Sequence, residues 1–158
     1  MTIDAIIEIE KGSNLKYEYD DNKKILRLDR ILSTSMIFPF NYGFIPNSLS
    51  SDGDPLDVIL ISEYKIMPGT IINTKIIGYL DMEDEKGKDE KLICVPSNNV
   101  DKYYNKYTDI DSLEDCTKNK IKHFFKYYKD LENNKWVKIG DFYNKDEAIK
   151  LTNKSLLK

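Results

Sequence analysis

The chain has 158 residues, 41% hydrophobic and 11% aromatic, with 24 basic and 27 acidic side chains for a net charge of −3. That length predicts one domain over residues 1–158, able to bury about 70% of its unfolded surface. Near-balanced charge argues against nucleic-acid binding; the short apolar runs and the absence of a leader pattern predict no membrane span and a cytoplasmic location, or a matrix one after removal of a targeting segment.

Apolar alternation predicts strands over residues 3–10 and 15–19, flanking Lys11-Gly12-Ser13-Asn14 as a hairpin turn. Further strands are predicted over residues 25–32, 58–62, 70–80 and 91–95, with Pro68-Gly69 and Lys86-Gly87 as punctuation. From about residue 114 the period changes. Ile121, Phe124, Phe125, Tyr128 and Leu131 share one face of an amphipathic helix. Asn144, with Glu147 three residues on, is placed to cap a second helix running toward Leu157. Strands first and helices last predict a mostly β fold of the α+β class, a small barrel with two helices packed outside.

Two cysteines, Cys94 and Cys116, and one histidine, His123, match no zinc or iron–sulfur spacing. Cys94 lies in an apolar run and reads as core. With no second histidine, neither thiol is a nucleophile candidate.

The most telling segment is Asp52-Gly53-Asp54-Pro55-Leu56-Asp57, which runs straight into an apolar strand. Asp-Gly and the proline force a bend, so Asp52 and Asp54 fall on a turn and Asp57 at a strand mouth. Converging carboxylates repel one another, and a divalent cation removes that penalty. By itself the hexapeptide reads more simply as a solvated turn, and it is the rest of the chain that overturns this. An EF-hand fails, because the positions that need a ligand and a glycine hold Leu56 and Asp57.

Arg30 shares a predicted strand face with Leu26 and Leu28, so it is expected to point inward. There it needs an anion, a structural carboxylate or a phosphate. Lys16 and Glu18 share a strand face that Glu8 can join across the hairpin. Tyr128 and Lys129 end the first helix, where a core tyrosine and a dipole-complementing lysine are the simpler expectations. The acidic run 81–91 reads as a hairpin tip. Together these residues make an inventory suited to metal-bridged phosphate chemistry.

The order of motifs resembles the soluble family I inorganic pyrophosphatases along nearly the whole chain. The matching stretches are Ile7-Glu8-Ile9, Lys16-Tyr17-Glu18, Asp29-Arg30, Pro39-Phe40-Asn41-Tyr42-Gly43-Phe44 and the aspartate hexapeptide with Val58. Met82-Glu83-Asp84-Glu85-Lys86-Gly87-Lys88-Asp89-Glu90-Lys91 and His123-Phe124-Phe125-Lys126-Tyr127-Tyr128-Lys129-Asp130-Leu131-Glu132 complete them. The resemblance implies an OB-like five-stranded barrel that hydrolyses pyrophosphate to two phosphates with Mg²⁺, Mn²⁺ or Zn²⁺ being possible substitutes.

The resemblance also implies roles. Asp52, Asp57 and Asp89 would hold two activating metals, with Asp57 bridging. Asp84 and Glu18 would take metals arriving with substrate, and Glu8 would belong to the same acidic site. Asp54 would accept the proton of the attacking water, a hydroxide bridged by the metals. Lys16, Arg30, Tyr42, Lys91, Tyr128 and Lys129 would bind phosphate.

Phe38 stands where the family usually has a tyrosine, so one site hydroxyl is expected to be missing. Glu10 replaces a usual proline, and the N-terminal extension common in bacterial members is absent. His123 matches a subunit-contact position, which implies a homohexamer. The rival classes are a calcium-binding barrel, which would lack the phosphate-binding cations, and a single-strand nucleic-acid module, which needs a basic, aromatic groove.

Overall fold

The computed structural model describes residues 1–157. Nine strands and two α-helices, with two short 3-10 helices (Lys102–Lys106 and Ile110–Ser112) before the first of them, follow in the order β1 (Thr2–Ile9), β2 (Leu15–Asp20), β3 (Ile25–Ile31), β4 (Asn41–Phe44), β5 (Asp57–Leu60), β6 (Ile71–Asp84), β7 (Gly87–Lys88), β8 (Lys91–Pro96), α1 (Asp115–Tyr127), β9 (Val137–Asn144) and α2 (Lys145–Ser155). Five of them close a ring. β1 pairs with β4, β4 with β5, β5 with β8, β8 with β6, and β6 returns to β1. Only β5–β8 is parallel within that ring. The expected five-stranded barrel with two outer helices is therefore present.

The ring works because its strands are apolar on both faces. Val58, Leu60, Leu92 and Cys94 join Ala5, Ile7, Ile72 and Ile76 in one core, with Ala148 of α2 packed against it. The alternate residues Ile59, Ile61, Ile93 and Val95 face a second core under α1, built around Ile121, Phe124, Phe125 and Tyr128. Continuous apolar runs, rather than alternating ones, are what burial on two sides requires. β4 reaches β1 closely only because residue 43 is glycine; a β-carbon there would collide with the Ile6 carbonyl.

Several expectations are corrected. β1 and β2 do not form a hairpin, because both edges of β1 are used to close the ring. The intervening loop bonds elsewhere: Gly12 N–H donates to Phe38 O and Phe38 N–H to Ser13 O. β2 and β3 instead form a separate two-stranded ribbon. A bulge shifts their register, with Lys16 opposite Arg30 but Tyr17 opposite Leu28. Leu28 is therefore solvent-exposed, while Arg30 still turns inward, off the leucine face assigned to it. Leu131 is 69% exposed, because α1 stops at Tyr127 and the helical period ends with it. β9 also breaks the order of strands first and helices last; its Gly140-Asp141 pair interrupts the alternation that would reveal it. The second helix starts as expected, with Asn144 Oδ1 accepting from Glu147 N–H at 3.0 Å.

Candidate active site

One end of the ring opens into a cavity of about 580 Å³. The barrel supplies Glu8 from β1, Tyr42 from β4, Asp57 from β5 and Lys91 from β8. The ribbon supplies Lys16, Glu18 and Arg30, and the turn before β5 supplies Asp52 and Asp54. Asp84 and Asp89 flank the β6–β7 hairpin, and Tyr128 and Lys129 follow α1. Every metal-binding, proton-accepting and phosphate-binding residue named from the sequence thus lines one cavity.

Local structure explains the placement. Gly53 takes a φ of +87°, which tightens the Asp-rich turn, and Asp54 N–H donates to Asp52 Oδ1 at 3.0 Å. Leu56 is fully buried, and its N–H bonds to the Ser48 hydroxyl at 2.9 Å, so the turn is anchored from behind. Asp57 then opens β5 in register with Lys91, the first residue of β8.

Lys91 is the hub. Its ammonium donates to Asp57 Oδ2 at 2.6 Å, to both Asp89 oxygens at 2.9 Å, and to the Tyr42 hydroxyl at 2.7 Å. Burial works to discharge it, but Asp57, Tyr42 and Asp89 outweigh that and hold its pKa well above the ordinary lysine value. Lys129 is held in the same sense: burial opposes, while Tyr128, Asp84 and Glu85 keep it charged, with Asp84 Oδ2 at 3.2 Å. Arg30 meets Glu132 at 2.8 Å, and Lys16 meets Asp29 at 3.4 Å.

The carboxylates carry strain of the opposite kind. Burial pushes Glu8 up to about 8, although its carboxylate accepts from Tyr19 N–H at 2.8 Å. Burial likewise pushes Asp57 up to about 6 despite Lys91, and raises Asp52. A buried carboxyl that prefers its neutral form contributes stability fully present below its unfolded pKa and lost as pH rises through the folded one. For Glu8 that window runs from 4.5 to about 8, and for Asp57 from 3.8 to about 6. Metal-free protein is therefore expected to melt lower at about pH 8 than at about pH 5, and added divalent cation should reduce the difference. Calorimetry in chelator checks this; a flat or rising profile would contradict the burial of these charges.

Among the described residues ten acidic side chains face the cavity against six basic ones, an excess that bound cations can neutralise. Among the described residues no three of them are already drawn to metal-ligating distance, since the Lys91 ammonium occupies the place between Asp57 and Asp89. The donors are hard carboxylate oxygens, and burial raises the proton affinity of Glu8, Asp52 and Asp57 among them, a set that fits small divalent cations.

Two outcomes differ from the sequence reading. Phe38 does not line the cavity; it is 2% exposed and packs its ring on Tyr42, Phe124 and Tyr128 at 5.3, 4.6 and 6.4 Å. A hydroxyl there would begin in the core, behind two wall tyrosines. Conversely, Tyr17, Glu85, Lys86 and Lys135 line the cavity without having been singled out. Glu85 was visible as half of the two-residue tip between Asp84 and Gly87, whereas Lys135 follows an irregular segment with no period to read.

A β-barrel with an acidic cavity walled by lysines, an arginine and tyrosines offers places for divalent cations and for an anion that they accompany. The chain matches the profile of the family described as Inorganic pyrophosphatase over residues 5–158. It is 52% identical to the inorganic pyrophosphatase of Nanoarchaeum equitans over 151 residues, covering 96% of this chain and 93% of that one. It is 49% identical to that of Saccharolobus solfataricus over 154 residues, covering 98% and 90%. The solved inorganic pyrophosphatase of Helicobacter pylori superposes with a TM-score of 0.96 at 46% identity, covering 98% of this chain and 91% of that structure. This chain belongs to the inorganic pyrophosphatase family.

Proposed function

We propose that the protein is a Mg²⁺-dependent inorganic diphosphatase that hydrolyses pyrophosphate to two orthophosphates by direct attack of water. The observation that carries this is Lys91, which binds the carboxylates of the metal set and a tyrosine of the phosphate set at once. Asp52, Asp57 and Asp89 would hold two cations, with Asp57 serving both, and Asp84 and Glu18 would receive those that come with substrate. Glu8 adds charge beside them. Bound divalent cations supply Lewis-acid charge that neutralises phosphoryl oxygens and eases deprotonation of water. Mn²⁺ or Zn²⁺ can stand in for Mg²⁺ at such oxygen donors.

Asp54, on its exposed turn, takes the proton of the attacking water. Lys16, Arg30, Tyr42, Lys91, Tyr128 and Lys129 hold the phosphoryl oxygens and stabilise the charge that develops on the leaving phosphate. No covalent intermediate is needed, and the residues fit that: Cys94 is buried with its thiol pushed up to about 12, and neither His123 nor Cys116 lines the cavity. An excess of acid also disfavours the single-strand nucleic-acid reading, and the wall cations disfavour a calcium-binding structural barrel.

No helix among the described residues is long and apolar enough to cross a membrane, and we place the enzyme in the cytoplasm. We also propose a homohexamer assembled through a second groove of about 420 Å³, where His123, Phe124 and Phe38 lie beside half-buried Lys11 and exposed Ile37 and Lys120. Light scattering that shows only monomer would remove the hexamer.

The deciding assay is phosphate release from pyrophosphate. With Mg²⁺ it should proceed, and EDTA should suppress it by about 100-fold or more until Mg²⁺ is restored. Release that persists in EDTA, or none with Mg²⁺, Mn²⁺ or Zn²⁺, would overturn the proposal.

A further inference from the structure

The ribbon β2–β3 carries Lys16, Glu18 and Arg30 to the cavity, yet it is not part of the ring. Its ion pairs Lys16–Asp29, Lys24–Asp21 and Arg27–Asp20 all stay within the ribbon. Among the described residues a single ion pair leaves it. Arg30 Nη1 reaches Glu132 Oε1 at 2.8 Å, with the two side chains only 21% and 17% exposed. Glu132 sits on the turn after α1, which is closed by Glu132 N–H to Lys129 O at 2.9 Å and Asp130 N–H to Tyr127 O at 3.1 Å. The same turn presents Tyr128 and Lys129. The pair therefore joins two walls of the cavity that the backbone ladders leave unconnected.

Glu132 itself does not line the cavity, whereas Arg30 does. The contact is also unusual for a pair that serves stability alone. It uses one nitrogen and one oxygen, and leaves Arg30 Nε and Glu132 Oε2 both buried without a partner. Strong arginine–carboxylate pairs use two parallel bonds, and buried unpaired polar atoms are costly. What a one-point contact achieves is orientation. It fixes the guanidinium from behind and leaves the rest of its donors unspent by Glu132. Without it, the acidic side chains of the cavity and neighbouring Asp29 compete for that charge.

We propose that Glu132 is the positioning residue for Arg30: it sets the guanidinium at the cavity wall for a phosphoryl group and keeps it from capture by the cavity carboxylates. This rests on the diphosphatase reading above. Losing Glu132 should weaken the grip of Arg30 on the phosphoryl group in substrate and transition state alike, so KM should respond and kcat little. Glu132→Gln keeps the shape and one acceptor but removes the charge. It should raise KM for Mg-pyrophosphate about tenfold with kcat changed less than about threefold. Glu132→Asp, charged but one methylene short, should fall between the variant and the wild type.

The discriminating measurement is a double-mutant cycle with Arg30→Gln. If Glu132 acts through Arg30, Glu132→Gln adds no more than about twofold to KM in that background. Calorimetric binding of methylenediphosphonate, a pyrophosphate analogue that cannot be cleaved, should show the same pattern independently of turnover. Equal losses in both backgrounds, an unmoved KM in Glu132→Gln, or a fall in kcat alone would each overturn the proposal. These failures are distinct from failure of the diphosphatase reading, in which wild type neither cleaves pyrophosphate nor binds the analogue and both fall together.

Discussion

Asp57→Asn is expected to cut phosphate release by about a thousandfold or more, roughly 4 kcal/mol of barrier, while the fold survives. Asp57 opens β5 opposite Phe44 on one side and Lys91 on the other, so an isosteric amide leaves the ladder unchanged. The amide oxygen can still accept from Lys91, and Lys91 keeps both oxygens of Asp89. What is lost is the charge that lets one side chain serve two cations. Stability should move the other way. Burial already pushes the Asp57 carboxyl up to about 6, so holding it ionised above that pH costs the metal-free protein free energy. The variant in chelator near about pH 8 should therefore melt no lower than wild type, and the order should reverse in saturating Mg²⁺, which binds the native wild type more tightly. Kinetics and melting on one preparation test both halves. Retention of more than about a tenth of the wild-type rate, a loss under about 1.4 kcal/mol, would sink the shared-ligand role.

What the sequence made legible follows from where its periodicity is undisturbed. The face of α1 through Ile121, Phe124, Phe125 and Tyr128 was readable, and all four are buried. The runs at β5 and β8 were readable as strands, though not as strands buried on both sides, because periodicity does not register a second layer. The ribbon's bulge escaped notice: one extra residue, Asp29, reverses which face Leu28 takes, and nothing local announces it. β4 was read as a motif rather than a strand, since Asn41 and Gly43 are poor strand residues that close packing against β1 nevertheless demands.

The candidate site was legible by a different route. Its residues were named through the aspartate hexapeptide and the order of the other motifs, and each lies on the cavity wall. Their mutual contacts were not legible. Tyr42, Asp57, Asp89 and Lys91 are spread over 49 residues, and only the β4–β5–β8 ladder brings them to one ammonium. The second layer was missed for the same reason. Phe38 was assigned to the wall from its place in a motif, but its ring is enclosed by Tyr42, Phe124 and Tyr128. Glu132 lay inside a matched stretch, and its contact with Arg30 depends on a turn with no sequence period.

Lys91→Met should produce the largest loss of stability of any single change in the site, because it strands two carboxylates at once. Lys91 is 2% exposed and Asp89 7%, so neither the ammonium nor its partner has water to fall back on. Removing one member of a buried pair costs about 3–5 kcal/mol, since the remaining charge is left uncompensated. At roughly 2–4 °C per kcal/mol for a chain of this size, the metal-free protein should melt about 6–20 °C lower. The pH dependence identifies the cause. Without the ammonium the Asp57 carboxyl titrates still higher than its value of about 6, so at about pH 5 it is neutral and the loss should shrink, whereas at about pH 8 it should be greatest. Methionine is close to lysine in length and apolar, so a packing defect would instead lower the melting temperature equally at both pH values. The two functions of Lys91 should also separate. Freed of the ammonium, Asp57 and Asp89 are available to a cation, and calorimetric titration should show Mg²⁺ binding tighter than in wild type. Turnover should nonetheless fall by about a hundredfold or more, because a charged donor to the phosphoryl oxygens is gone. Weaker Mg²⁺ binding in the variant would mean that Lys91 organises the carboxylates for the metal rather than competing with it, and the hub role argued for it would be wrong.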